Sequence, residues 1–213
     1  MSKFRFQIAV SLDGFAAGSE QSKENPLGAG GMDLHEWAVK LEVWRKQHGL
    51  EGGEVNASTP VVEEIQSNIG AGMMGRNMFG GGPGSWSENE PWNGWWGDNP
   101  PFHMPVFVLT HHPREPLEMK GGTTFTFVTD GIESALEQAN QAADGRDVLL
   151  GGGANVVQQY LAAGLIDEFD IHVVPILLVE GERLFENIGR LELEQVRAVE
   201  APGVTHIKYR VIK

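Results

Sequence analysis

The tightest constraint on this chain is the run Val148-Leu149-Leu150-Gly151-Gly152-Gly153-Ala154-Asn155. An apolar stretch of strand length, with no polar alternation, predicts a strand buried on both faces, which needs helices above and below it. Three glycines then form a turn whose backbone can approach a neighbour closely, and residues 154–163 predict a helix leaving that turn. The N–H groups at a helix N-terminus carry about half a positive charge, so a strand–glycine–helix junction suits a phosphate. Packing alone also explains such a turn. The dinucleotide fingerprint G-x-G-x-x-G fails at Val156, and G-x-x-x-x-G-K-[ST] does not occur.

The rest of the chain repeats the theme. Phe4, Phe6, Ile8 and Val10 alternate with Arg5, Gln7 and Ala9 before Ser11-Leu12-Asp13-Gly14, a strand ending in a turn. Residues 15–32, rich in glycine and holding Pro26, predict a long loop. Asp33 starts or caps a helix whose apolar set is Leu34, Trp37, Ala38, Leu41 and Trp44. A second helix starts at Thr59-Pro60, with Glu63 and Glu64 in its first turn. Residues 70–76 read as a short buried strand running into a turn. Four of the six tryptophans (86, 92, 95 and 96) fall in residues 80–104, where neither period fits. That stretch predicts a surface loop folded over something, a loop pinned by its own aromatics, or an oligomer contact.

Beyond it, strands at 106–110, 125–129, 147–150 and 169–175 alternate with helices at 131–143 and 154–163. Residues 191–199 and 204–212 predict two closing antiparallel strands. The order predicts one domain over residues 1–213, of α/β class, with a mostly parallel sheet and an antiparallel C-terminal edge.

Composition removes several functions. Sixteen Lys and Arg against 29 Asp and Glu give a net charge of −13, which repels a polyanion and argues against a nucleic-acid module. With no Cys, disulfides, thiolate catalysis and cysteine-bearing zinc sites are excluded. His35-Glu36 lacks a second His at H-E-x-x-H spacing and His111-His112 are adjacent, so no metal site is expected. No G-x-S-x-G elbow occurs. The N-terminal apolar run is too short for a signal peptide, and nowhere do 18 apolar residues follow one another. A cytoplasmic protein without membrane contact is the expectation.

Candidate chemistry gathers at strand ends. Met74-Gly75-Arg76-Asn77, and His111-His112-Pro113-Arg114 after the strand at 106–110, bring basic and hydroxyl groups to where an open α/β sheet binds phosphates. Asp13 ends the first strand. Asp33 and Glu36 lie in the first turn of the first helix near Trp37, where apolar surface favours a neutral carboxyl and suits a proton donor. Turn, cap and solvent-facing roles are the alternatives for these three acids.

Taken in order, Ser11-Leu12-Asp13-Gly14, Met74-Gly75-Arg76, Val108-Leu109-Thr110 and Gly151-Gly152-Gly153 resemble the dihydrofolate reductase-like superfamily. The resemblance covers nearly the whole chain and is closest to the C-terminal reductase domain of bifunctional riboflavin biosynthesis proteins. It implies a three-layer α/β/α fold around a twisted, mostly parallel sheet, and an NADPH-dependent reductase. By it, Gly75, Arg76 and Asn77 meet the cofactor phosphates. Thr110 and His111, with His112 or Arg114, surround the adenosine 2′-phosphate. Gly151, Gly152, Gly153, Ala154, Asn155 and Val156 hold the pyrophosphate, and Ala9, Val10 and the loop after Gly14 line the nicotinamide.

Three features depart from the family pattern. Leu150 stands where these reductases commonly carry an acid. Asp33 with Trp37 is a loose match to the early acid and Trp of dihydrofolate reductases. Loops 15–32 and 80–104 match neither group. The expectation is an NADPH-dependent reductase of a pyrimidine- or pterin-like small molecule, of the 5-amino-6-(5-phosphoribosylamino)uracil reductase type. Asp13, Asp33 or Glu36 would orient the substrate or give the balancing proton. An NADPH- or nucleotide-binding protein without turnover is one alternative, and a reductase of another aromatic substrate such as dihydrofolate is the other. Related reductase domains dimerise, so a homodimer is expected.

Overall fold

The N-terminal alternation becomes β1 (Phe4–Ser11), the strand around which the sheet is laid out in a computed structural model describing residues 2–82, 84–87, 89 and 91–213. Then follow β2 (Phe15–Ala17), α1 (Glu36–Val39), α2 (Glu42–Gln47), α3 (Ser58–Gln66), β3 (Ile69–Gly75) and α4 (Arg76–Phe79). The middle holds β4 (Pro105–Leu109), β5 (Leu117–Glu118), β6 (Thr124–Val128), α5 (Ile132–Ala143), β7 (Asp147–Leu150) and α6 (Ala154–Ala162). The chain closes with β8 (Glu168–Val174), β9 (Glu182–Arg183), β10 (Glu192–Ala201) and β11 (Val204–Ile212).

Nine strands form one sheet in the order β10-β11-β8-β1-β7-β3-β4-β6-β5. The pairs from β8 across to β6 are parallel, whereas β10, β11 and the short β5 run antiparallel at the two edges. The expected C-terminal edge is therefore present, and β5 adds an antiparallel edge on the other side. A separate two-stranded ribbon pairs β2 with β9.

Side chains along β1 divide by parity because successive residues point to opposite faces. Phe4, Phe6 and Val10 join Ala71, Met73, Val148 and Leu150 in a core closed by α5 and α6. On α5, Ala135, Ala139 and Ala143 recur every fourth residue with zero exposure, so the helix lies close to the sheet. The opposite face carries α3, α4 and the tryptophan-rich loop. There Phe79 of α4 packs on Val106, Val108, Phe125 and Phe127.

Between β1, β8, β11 and α3 that opposite face is polar. Arg5 Nε is 3.0 Å from Asp147 Oδ2, and Lys208 Nζ is 3.0 Å from both Glu64 and Glu168. A linear chain joins Ser58 Oγ to His206 Nε2 (2.9 Å), His206 Nδ1 to His172 Nδ1 (2.8 Å) and His172 Nε2 to Gln7 Oε1 (2.9 Å). One proton per ring satisfies every link: the serine hydroxyl donates to His206, His206 to His172, and His172 to Gln7. Trp37 stands edge-on to both rings, at 5.0 and 4.9 Å. Burial first, and the neighbouring ring second, push His172 down to about 3, and burial pushes His206 down to about 4. Asp170 is raised by burial to about 6, against the pull of Lys208 and Arg197.

Two sequence expectations fail locally. The single helix from Asp33 is broken into a 3-10 turn (Gly31–His35), α1 and α2, because Leu41 is extended at φ −72° and ψ 138°. The fully buried Leu41 pairs with Glu54, whose N–H donates to Lys40 O while Glu42 N–H donates to Glu54 O. A tertiary bridge thus overrides helical periodicity. Residues 15–32 are also not a plain loop, since β2 is held against β9. A side chain at Gly181 would meet Ala17 O at 2.0 Å, so this ribbon requires glycine there.

Candidate functional site

Four adjacent parallel strands, β1, β7, β3 and β4, end on the same side of the sheet, and the turns that follow them converge. The glycine turns after β7 and β3 are tied directly. Gly151 N–H donates to Met73 O and Gly75 N–H donates to Gly152 O, both at 2.8 Å. Gly152 has φ +122°, a backbone that L side chains rarely adopt. Gly153 then caps α6 without a side chain, leaving its first N–H groups facing the turn. Ala154 and Val156 point their side chains into the core, so only their backbone is available to a ligand, and Asn155 is exposed.

Arg76 opens α4 beside this turn. Its guanidinium donates to Gly80 O at 3.0 Å and Gly82 O at 2.9 Å, and lies 3.2 Å from the centre of the Trp86 ring. Arg114 reaches the same indole, 4.9 Å from its centre, and donates to Asn93 Oδ1 and to Trp92 O. Burial, and then the Arg114 charge, lower the Arg76 pKa from its ordinary value. Thr110 is buried at the end of β4, where its N–H donates to Val128 O and its hydroxyl accepts from His112 N–H. His111 and Asn77 are exposed.

The tryptophan-rich loop folds over α4 and the β4–β6 face; its residues 83, 88 and 90 lie outside the described residues. Trp86 N–H donates to His112 O, Trp92 to Phe79 O and Trp95 to Met78 O, all within 2.8–2.9 Å. Trp86 also packs edge-on against Phe79 and Phe127. Its own aromatics pin this loop.

The three candidate acids separate. Asp13 accepts from Ser11 Oγ at 2.6 Å and from the N–H groups of Leu178 and Val179 at 3.1 and 2.8 Å. The Ser11 hydrogen bond, with the two amides, holds its carboxyl below the usual range. Through these amides Asp13 fastens the loop after β8. Asp33 and Glu36 are exposed and share a cleft of about 580 Å³ with Trp37, Lys40, Asn56 and Ile176. Glu36 is paired with Lys40 at 3.3 Å. The cleft adjoins Ala9, which packs with Leu34, Val174 and Trp37, whereas Val10 faces the opposite core.

The structure thus joins Gly75 to the glycine turn and Arg76 to Arg114, and sets Asp33 and Glu36 in a neighbouring cleft. Sequence reasoning missed Trp86 as the ring that both arginines reach, and Lys23, which lines a cavity with Arg76. It also missed Glu182, half-buried with its pKa raised by burial and a carboxylate oxygen 4.0 Å from the Cβ position of Gly153. Only the three-dimensional meeting of distant loops reveals these. Among the described residues no cluster of three or more His, Asp or Glu is arranged to hold a metal, and no helix is long and apolar enough to cross a membrane.

Comparison with known proteins agrees with this geometry. A Bacillus subtilis protein of uncharacterized function, YyaP, is 34% identical over 87 residues, 39% of this chain and 45% of that protein. The chain thus aligns with less than half the length of this relative. A Shewanella sp. PV-4 protein provisionally assigned to riboflavin biosynthesis superposes with a TM-score of 0.64 at 20% identity, covering 99% of both chains. The Saccharomyces cerevisiae riboflavin biosynthesis reductase gives 0.55 at 11% identity, covering 99% of this chain and 90% of that one. Dihydrofolate reductase from Enterococcus faecalis, complexed with NADP(H), gives 0.51 at 14% identity, covering 99% and 97%. These likenesses establish a dihydrofolate reductase-like α/β fold. The sequence from residue 2 to 207 matches the RibD C-terminal domain, and the chain belongs to that family.

Proposed function

We propose that this chain is an NADPH-dependent reductase of a pyrimidine- or pterin-like heterocycle, of the kind that reduces 5-amino-6-(5-phosphoribosylamino)uracil. The observation that carries this reading is the bond between Gly75 N–H and Gly152 O, which fuses two glycine strand ends at the N-terminus of α6. The residues fit a dinucleotide: Gly75, Gly151, Gly152 and Gly153 have no side chains of their own where a pyrophosphate would approach, and Arg76 keeps a buried Nη1 without a hydrogen-bond partner among the described residues. When bound, the nicotinamide supplies the hydride.

On this reading, Gly151, Gly152 and Gly153, with the N–H groups of Ala154, Asn155 and Val156, hold the pyrophosphate. Gly75, Arg76 and Asn77 flank it. Thr110, His111 and Arg114 stand towards the adenosine 2′-phosphate, while Ala9 and the backbone of Val10 back the nicotinamide. Asp33 and Glu36 orient the heterocycle in the cleft beside Trp37, and one of them returns the proton that balances hydride addition. Asp13 holds the loop after β8. A homodimer, checked by sedimentation, is part of the same proposal.

The test is a titration of tryptophan emission with NADPH and, in parallel, NADH, followed by a turnover screen of pyrimidines, pterins and flavin precursors. NADPH preference with consumption supports the reading; binding of neither nucleotide by the folded protein sinks it. Binding without consumption favours a nucleotide-binding protein. The specific observation on that side is Leu150, fully buried in the core where these reductases commonly carry an acid.

A further inference from the structure

The ribbon of β2 and β9 carries Glu182 to the glycine turn and fixes it there. Glu182 stands opposite Ala17. Leu184 N–H donates to Gly14 O at 3.0 Å, and the Gln158 amide of α6 donates to Arg183 O at 2.8 Å. Leu184 itself is fully buried in the core closed by α5 and α6. The result is a half-buried carboxyl that faces Gly153. A side chain on Gly153 would meet Glu182 Oε2 at 4.0 Å, and no other atom beyond its chain neighbours comes so close.

Gly153 is the N-cap of α6 and gives it no side-chain cap, so the N–H groups of the first turn keep their partial positive charge. A carboxylate and a phosphate oxygen are both drawn to such an end, and side by side they repel each other. Little around Glu182 offsets a charge on it. Arg183 turns away to Asp13 O and the Phe15 ring, and Arg76 is held on the carbonyls of Gly80 and Gly82. Asp13 keeps its carboxylate on the amides of Leu178 and Val179, while Glu180 and Glu186 are exposed acids. β2 and the first turn of α6 bring no titratable side chain. Burial therefore raises the Glu182 pKa unopposed.

We infer that Glu182 competes with a nucleotide's pyrophosphate for the N-terminus of α6, so that the glycine turn accepts the nucleotide with Glu182 neutral and resists it with Glu182 ionised. This rests on the reading of the turn as the pyrophosphate site. An anion placed beside Glu182 disfavours its ionised form further, so binding takes up a proton. A neutral carboxyl also offers an O–H donor to a phosphate oxygen. Affinity is then highest at acid pH. It falls as the pH passes from the pKa of Glu182 in the free protein to that in the complex, and levels off above.

The experiment titrates the full chain with NADPH from pH 5.5 to pH 8.5, following tryptophan emission, in wild type, Glu182→Gln and Glu182→Asp. Circular dichroism checks the fold of both variants. The cofactor's 2′-phosphate titrates in the same range, but identically for all three proteins, so it cancels in their ratios. Glu182→Gln should bind about tenfold more tightly than wild type at pH 8.5, with the two converging towards pH 5.5, as expected for removing one charge beside the pyrophosphate. Glu182→Asp keeps a titrating carboxyl and should keep part of the pH dependence. Calorimetry with NADH, whose pyrophosphate does not titrate here, in two buffers of unlike ionisation heat should show proton uptake by wild type. No uptake by wild type overturns the inference without recourse to any variant. A constant ratio of wild type to Glu182→Gln across the range overturns it too. So does weaker binding by Glu182→Gln, which would make the carboxylate an acceptor for the nucleotide's hydroxyls. In these three cases the nucleotide still binds and the reductase reading stands. If the folded wild type binds neither NADPH nor NADH, that reading fails and takes the inference with it.

Discussion

Lowering the pH from 6.5 to 4.5 should destabilise this protein through the Ser58–His206–His172–Gln7 chain. Each ring has one proton and burial opposes a second, since His172 and His206 meet nitrogen to nitrogen at 2.8 Å in a site with 1% exposure. Their values of about 3 and about 4 lie below the ordinary 6.5, so near pH 5 the unfolded chain binds two protons that the native state refuses. Stability is then lost as pH falls through this window. Asp170, raised to about 6 from 3.8, works the other way, because the native state holds a proton that the unfolded state has released. Among these three groups the balance is about one proton, or about 1.4 kcal/mol of stability lost per pH unit, and His35, also lowered by burial, adds to the loss. Glu64 and Glu168, held low by their lysine and arginine partners, add their own losses only below about pH 4.5. Urea unfolding followed by tryptophan emission at half-unit steps from pH 4.5 to 6.5 reads the slope. His206→Gln removes one refused proton, so its slope should be shallower by about 1.4 kcal/mol per unit whatever its absolute stability. A slope unchanged in His206→Gln would refute the reasoning.

Further tests address the site and the packing. Arg114→Ala should weaken NADPH binding far more than NADH binding, by about tenfold or more in a fluorescence titration, and equal losses would remove Arg114 from the 2′-phosphate role. Gly70→Ala places a methyl 2.3 Å from Ala143 O, where α5 meets β3, and should cost about 1–3 kcal/mol in urea unfolding; no loss would mean the helix moves freely on the sheet. Asp13→Ala should speed amide exchange at Leu178 and Val179 while leaving the pH profile of turnover in place, whereas a displaced profile would restore Asp13 as a proton donor.

Local chemistry made much of the fold readable. β1, β7 and β8 announce themselves by apolar pattern, and the glycines after β3 and β7 by composition, because strand burial and turn geometry are decided within a few residues. What could not be read depends on partners far along the chain. Leu41 leaves its helix for a bridge to Glu54, and β2 and β9 are too short to show a period yet pair across 165 residues or more of sequence. At the site, Gly75 and Gly151 were legible as separate turns, but not the hydrogen bond that unites them. Asp13 looked like an available acid because nothing near it in sequence reveals the amides of Leu178 and Val179. Lys23 and Arg76 line one cavity only because the loop at 15–32 lies against α4.

The place of β1 in the sheet has a consequence for biogenesis. Its neighbours are β7 and β8, so β1 pairs only with segments that start at residues 147 and 168, more than 135 residues later in synthesis. Until those segments have been made, both edges of an apolar strand remain open, and such unpaired edges invite association with other chains. The non-local pairing also makes for slow folding. A fragment that stops before β7 keeps Gly75, Arg76 and the tryptophan-rich loop but has no central strand partner to assemble them. Dividing the protein for reconstitution would therefore succeed only if the N-terminal piece were supplied with β7 and β8 in trans.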